Sequence, residues 1–206
     1  MLKVSAIITI AYLLGSIPSS IWIGKTLFKT DVRKSGSGSM GATNAMRVLG
    51  LKVAIPVLLL DMIKGYVAVK SVHLFFDVGD TYFMQFQMMA GITAAIGHIF
   101  PVFAGFRGGK GVATLTAVLL AVTPQLLLVC FPVFLITVAI SRYVSLGSMI
   151  STAVIPFVYY FILQKTEPYY IGFSILLLAI VLLTHRANIA RLIHGKENAF
   201  TFKRKK

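Results

Sequence analysis

Acidic side chains are almost missing from this chain. Its 206 residues hold six Asp and Glu against twenty Lys and Arg, a formal net charge of +14. Charge of any kind is scarce at 13% of residues, where a soluble domain averages roughly 25%. With so little soluble surface, the positive excess points to anionic lipid or an acidic substrate and away from nucleic acid. A single cysteine, Cys130, excludes an intrachain disulfide. The four histidines (His73, His98, His185 and His194) come with neither an H-E-x-x-H helix nor an acidic cluster, so no metal centre is supported. No G-x-S-x-G elbow is present to raise a serine nucleophile. A nucleotide P-loop is absent too. It needs Gly six residues before its Lys and a hydroxyl just after it, and around Lys110 those positions are Ala104 and Gly111. Without the magnesium-binding hydroxyl, ATP hydrolysis is disfavoured.

What is abundant is apolar sequence, 57% of residues with a mean hydropathy of +0.86. A membrane span needs about 20 apolar residues at about 1.5 Å each. Val4–Gly24 fits, with Pro18 as a kink and Trp22 as an interface anchor. It lacks an A-x-A cleavage site and reads as a retained span rather than a signal peptide. Val53–Phe76, Tyr82–Ile99, Gly147–Leu163 and Tyr169–Leu183 follow. Val112–Ile140 is either one tilted span or two short helices turning at Thr123-Pro124.

Loop cations decide between these, because they concentrate on the cytoplasmic side. With two short helices, sixteen of the twenty cations share one face: Lys25–Lys52, the segment around Lys110, Arg142 and the tail. With one span they divide about evenly. The expectation is therefore an all-α integral membrane protein with seven transmembrane helices, N-terminus outside and C-terminus cytoplasmic. No internal repeat or composition break suggests a second domain, so residues 1–206 read as one. This topology collects four polar segments on the cytoplasmic face: Ser35–Arg47, Gly97–Thr114, Ser141–Ser148 and His185–Glu197.

Two of these segments are glycine-rich and basic. Gly97–Thr114 carries five glycines with His98, Arg107 and Lys110. Glycine lets backbone N–H groups approach an anion, so this stretch reads as a phosphate cradle. Ser35–Asn44, preceded by Asp31 and Arg33 and followed by Arg47, offers Ser37, Ser39, Thr43 and Asn44 to phosphate oxygens. A flexible Gly/Ser linker is the plain alternative, but linkers rarely carry Thr-Asn beside an arginine. Ser145 and Ser148 add hydroxyls, or else cap a helix. His185, Asn188 and Arg191 recur at three-residue spacing and can share one helical face, with Glu197 just beyond Gly195. A basic juxtamembrane helix would explain the arginines but not the His and Asn beside them. Asp61 and Lys64, three apart within an apolar run, read equally as a salt bridge or a site. Phosphate cradles above apolar helices suit lipid chemistry. A transporter of an organic phosphate is the rival, although transporter sites are expected near the midplane.

Several runs, in order along nearly the whole chain, resemble the bacterial membrane acyl-phosphate:glycerol-3-phosphate acyltransferases. They are Gly15-Ser16-Ile17-Pro18; Asp31-x-Arg33-x-x-Gly36-Ser37-Gly38 on to Gly41-Ala42-Thr43-Asn44; and Asp61-x-x-Lys64-Gly65. Gly97-His98 through Gly108-Gly109-Lys110-Gly111, Ser145-Leu146-x-Ser148, and His185-Arg186-x-Asn188-Ile189-x-Arg191-Leu192 complete the set. Ser39 stands where that family usually has Asn, keeping a hydroxyl and losing an amide. The resemblance implies a seven-helix fold in the inner membrane with its active site near the cytosolic face. It implies transfer of an acyl group from fatty acyl phosphate to the sn-1 hydroxyl of glycerol 3-phosphate, with no ATP, coenzyme A or other cofactor. It further implies that Arg47, Lys110, Ser148, His185 and Asn188 contact glycerol 3-phosphate. Ser37, Ser39, Gly108, Gly109 and Lys110 are expected to hold phosphate, and Thr43, Asn44, His98, Ser145 and Glu197 to complete the binding surface. His98 and His185 are candidate bases; in the family a substrate phosphate is the alternative proton acceptor.

Overall fold

The computed structural model describes residues 1–200; the last four cations of the basic tail, Lys203, Arg204, Lys205 and Lys206, lie outside the described residues. All regular structure among the described residues is helical. The chain forms two compact units, Met1–Val122 and Thr123 onward.

In the first unit, α1 (Leu2–Gly15) and α2 (Ser19–Phe28) are one apolar stretch broken at Pro18, where the ring removes a donor. After the Ser/Gly segment come α3 (Ala42–Leu49), α4 (Leu51–Lys70), α5 (Phe83–Ile99) and α6 (Val112–Val122). Small residues let these helices touch backbone to backbone, the packing used where lipid supplies no hydrophobic drive. A Cβ on Gly15 of α1 would overlap the Ala94 carbonyl of α5. One on Gly65 of α4 would stand 2.6 Å from the Thr114 carbonyl oxygen of α6. Ile7, Ala11, Ala68, Val72, Phe83, Ala90 and Ala94 fill the space between α1, α4 and α5. A smaller cluster, Ile21, Val32 and Met40, lies under the Ser/Gly segment.

In the second unit, α7 (Leu127–Ser141), α8 (Val144–Phe157), α9 (Pro168–Thr184) and α10 (Arg186–Ile193) follow a short 3-10 turn at Pro124–Leu126. The helix break expected at Thr123-Pro124 is present: α6 stops at Val122 and the next turn starts at Pro124. Gly147 of α8 packs on Val138 and Phe134 of α7. Tyr159 joins α8 to α9 by lying against Tyr170, ring centres 5.0 Å apart and planes tilted by 40°, and shares a 3.0 Å hydrogen bond with Thr123. Beyond Pro156, α8 widens into a π turn, Val158–Ile162, where Leu163 N–H reaches the Val158 carbonyl. α9 and α10 meet at 63° on His185.

Four described helices are long and apolar enough to cross a membrane: Leu2–Phe28, Phe83–Ala104, Pro124–Ser141 and Val144–Ile162. The bent pair α9/α10 makes a fifth if taken as one span. Two of the seven expected spans fall short of this measure for different reasons. α4 is 20 residues long but carries Lys52, Asp61, Lys64 and Lys70, and α6 has only 11 residues, about 16 Å of rise. Large apolar side chains on these helices face outward, among them Leu59 and Ile63 on α4, Leu128 and Ile140 on α7, and Phe161. Outward apolar surface of this kind suits hydrocarbon rather than water.

Candidate active site

The Ser/Gly segment is ordered by one side chain. Asn44, in the first turn of α3, is 2% exposed. Its amide donates to the carbonyls of Val32 (2.8 Å), Ser35 (3.2 Å) and Ser39 (2.7 Å), and its oxygen accepts Ser37 N–H at 2.7 Å. Gly36, at φ +66°, passes so close that a Cβ would overlap the Asn44 oxygen. Asn44 was expected to meet substrate; its hydrogen-bonding capacity goes instead to shaping the loop that presents Ser37, Ser39 and Thr43. Ser39 Oγ accepts Gly41 N–H at 3.3 Å, and Arg47 lies exposed on the last turn of α3. Asp31 caps the turn Val32–Lys34 and grips Arg33 with both oxygens, at 2.8 and 3.1 Å. The Arg33 hydrogen bonds outweigh the effect of burial and hold the Asp31 carboxyl down to about 2. The same guanidinium donates to the Ala104 carbonyl at 2.9 Å. The Ser/Gly segment is thereby tied to the glycine loop.

The glycine loop begins where α5 ends. Gly108 N–H donates to the Ile99 carbonyl and Gly109 N–H to the His98 carbonyl, both at 3.1 Å. A Cβ on Gly108 would overlap the His98 carbonyl oxygen, and one on Gly109 would overlap His98 Nε2. The two N–H groups expected to point at phosphate are thus used to fold the loop back on the end of α5. Glycine is required there for close approach. Half-buried Lys110 and exposed Arg107 are the cations this fold presents. His98 is 2% exposed and faces inward, its Nδ1 3.6 Å from Asp61 and its Nε2 against Gly109. It supports the loop from behind instead of opening to a ligand.

In the second unit, Glu197 is the centre. Its Oε1 accepts from Ser145 Oγ (3.0 Å) and Asn188 Nδ2 (2.7 Å), and its Oε2 from Arg191 Nε (2.8 Å). Gly195, at φ +65°, turns the chain so that Glu197 comes back against α8 and α10. Burial pushes the Glu197 carboxyl up. Hydrogen bonds from Asn188, Arg191 and Ser145, with the Arg191 charge, outweigh it and hold the carboxyl below its ordinary range. Glu197 was expected to touch substrate; its oxygens are occupied by its neighbours. Ser148 Oγ donates to the Val144 carbonyl at 2.9 Å within α8. His185 sits in the bend between α9 and α10, its Nδ1 2.8 Å from the Val181 carbonyl. A carbonyl only accepts, so Nδ1 carries hydrogen and the neutral ring keeps Nε2 as its acceptor nitrogen.

The folded-state lowering of Glu197 gives a pH dependence with a definite sign. A depressed carboxyl stabilises above its unfolded value, near the ordinary 4.5, and that stabilisation is lost as pH falls through the folded value. Thermal unfolding in detergent should show the midpoint falling below about pH 4.5. Glu197→Gln should lower stability at pH 7 by about 2 kcal/mol, the worth of one charge-assisted hydrogen bond, and flatten the acid response.

Residues 5–195 match the family model for glycerol-3-phosphate acyltransferase. The chain belongs to the glycerol-3-phosphate acyltransferase family. The glycerol-3-phosphate acyltransferase of Chlorobium limicola is 42% identical over 231 aligned positions, covering 98% of each chain. That of Chlorobium phaeovibrioides is 41% identical, with 99% of each covered. The fold matches two crystal structures of PlsY (YgiH), an integral membrane glycerol 3-phosphate acyltransferase. Its glycerol 3-phosphate form aligns with a TM-score of 0.86 and 35% identity over 96% of each chain. Its lysophosphatidic acid form aligns at 0.83 and 34%, over 97% of this chain and 96% of that one. The chain is an all-α integral membrane protein and an acyltransferase.

As a glycerol-3-phosphate acyltransferase the chain holds its polar residues in two groups, one per unit. Ser37, Ser39, Thr43, Arg47, Gly108, Gly109 and Lys110 belong to the first; Ser145, Ser148, His185, Asn188 and Glu197 to the second. The sequence reading passed over Arg33 as a link between loops. Neither its bidentate hold on Asp31, two residues away, nor its reach to Ala104 had a spacing signal.

Proposed function

We propose that this acyltransferase takes its acyl group from a fatty acyl phosphate and passes it to the sn-1 hydroxyl of glycerol 3-phosphate, releasing lysophosphatidic acid and phosphate. The reaction takes place near the cytoplasmic face of the bacterial inner membrane, in a seven-span chain with its N-terminus outside. Loop cations support that orientation, sixteen of twenty falling on one side in the seven-span reading. The match over residues 5–195 runs through both units and supports treating residues 1–206 as one acyltransferase domain.

The observation that carries the donor reading is the Arg33 link. It joins the turn that leads into the hydroxyl-bearing Ser37–Thr43 loop to the Ala104 carbonyl, in the loop that carries Arg107 and Lys110. Such a surface suits a phosphate group that gains charge as it leaves. The acceptor oxygen forms a bond to the acyl carbon, and the bond from that carbon to the phosphate oxygen breaks. The hydroxyl proton passes either to His185 Nε2 or to a substrate phosphate. An acyl phosphate is already a mixed anhydride, so the protein supplies position and countercharge and no nucleophile of its own. Ser37, Ser39, Arg47 and Lys110 are assigned to the phosphate groups and Ser148, His185 and Asn188 to glycerol 3-phosphate, while Asn44, Gly108, Gly109, His98, Ser145 and Glu197 shape the loops.

The test is an acyl-transfer assay on purified protein in detergent with labelled glycerol 3-phosphate. Labelled lysophosphatidic acid from palmitoyl phosphate, with none from palmitoyl-CoA, is the expected result. Product only from the CoA thioester would overturn the donor assignment. For the proton, replacing His185 alone by Gln while the fold is intact separates the acceptors. A loss of about tenfold would favour a substrate phosphate, and a much larger loss a protein base.

A further inference from the structure

Beneath the glycine loop lies a polar cluster nearly closed to solvent. Asp61 and Lys64 of α4 pair at 2.9 Å with side chains 2% and 3% exposed. Ser19, the first residue of α2, donates to the same Asp61 oxygen at 3.1 Å, and Lys64 donates to the Ile17 carbonyl at 2.8 Å. The pair therefore fills the break that Pro18 opens between α1 and α2. The His98 ring completes the cluster, with Nδ1 3.6 Å from the shared Asp61 oxygen, beyond hydrogen-bond length, and no hydrogen-bond partner for that nitrogen among the described residues. The far edge of the ring meets the glycine loop: Nε2 occupies the place a Gly109 side chain would take. The His98 carbonyl accepts the Gly109 N–H. One buried chain of contacts runs from the helix break through Lys64, Asp61 and His98 to the residue before Lys110.

A buried ion pair is a costly choice for stability alone, since well-packed apolar residues of similar volume do as well or better. Such pairs persist where they fix a geometry. We propose that Asp61, held by Lys64 and Ser19, is a positioning residue. It orients the His98 imidazole, and the imidazole braces Gly109 so that the 108–111 loop holds Lys110 against a substrate phosphate. The proposal rests on the reading of Lys110 as a phosphate contact, and adds to it the group that sets the loop from within the bundle.

The neutral double variant Asp61→Asn/Lys64→Met keeps volume and removes both charges together, so no lone charge is left buried. With wild type it should share a thermal midpoint to within a few degrees. Its KM for at least one of the two phosphate substrates should rise about tenfold, and kcat should fall with it, as expected for a misplaced Lys110. His98→Gln, which keeps a polar group where Nε2 lies and drops the ring nitrogen facing Asp61, should raise KM similarly. Combining all three substitutions should add less than twofold to either, because they break one chain of contacts. Wild-type KM in the double variant, or multiplicative effects in the triple, would reduce the pair to a structural salt bridge and overturn the proposal. Lys110→Ala, run in parallel, separates the premise: unchanged kinetics there would remove the phosphate role of the loop itself, whatever the other variants do.

Discussion

Lys110→Ala is expected to lower kcat/KM for acyl transfer by about a thousandfold while leaving the helices intact. A preorganised donor aimed at developing charge is worth about a hundredfold to a thousandfold when removed. Lys110 is at the upper end of that range because it carries a full charge. In the proposed reaction the leaving phosphate gains charge as the anhydride bond breaks, so the interaction strengthens toward the transition state and its loss is felt in kcat as well as in KM. The backbone around Lys110 is set by Gly108 and Gly109, whose N–H groups bond to Ile99 and His98. The truncation therefore removes a charge without unfolding the loop. Steady-state kinetics with palmitoyl phosphate and labelled glycerol 3-phosphate, alongside a far-UV spectrum, would check it. A loss below tenfold would assign the phosphate countercharge elsewhere.

Lys64→Met should destabilise the protein by about 3–5 kcal/mol, because it leaves the Asp61 carboxylate buried and uncompensated. The pair is nearly closed to solvent, and Lys64 also satisfies the Ile17 carbonyl at the helix break. The thermal midpoint in detergent should fall on the order of 10 °C. Adding Asp61→Asn should restore most of that stability, since a neutral amide beside Met no longer strands a charge. A Lys64→Met protein as stable as wild type would mean that water or detergent reaches Asp61.

The helices were readable because their information is local. Apolar runs of the right length, Pro18 and Thr123-Pro124 placed the elements and the break between α6 and α7, and Asp61 and Lys64 pair as three-residue spacing on a helix suggests. The span count was less readable. Hydropathy alone does not say how a charged helix such as α4 or a short one such as α6 relates to lipid. Within the site, residue types were legible and their tasks were not. Asn44 and Glu197 look like ligands for substrate in one dimension. In the fold each spends its oxygens and amides on neighbours: Glu197 on Ser145, 52 positions away, and Asn44 on three carbonyls. The glycines of the 108–109 pair were legible as glycines, but their purpose depends on the end of α5 lying against them. Such assignments follow from tertiary contact and leave no spacing signal.

The saturation of Asn44 also bears on how the protein ages. Asparagine amides hydrolyse spontaneously when water and a mobile backbone are at hand, turning a donor group into a carboxylate. At Asn44 that change would set negative charge against the carbonyls of Val32, Ser35 and Ser39. The loop that Asn44 organises is what keeps the amide dry and its neighbours still. The side chain and the loop therefore protect each other: the hydrogen bonds that order the segment also keep the Asn44 amide out of solvent.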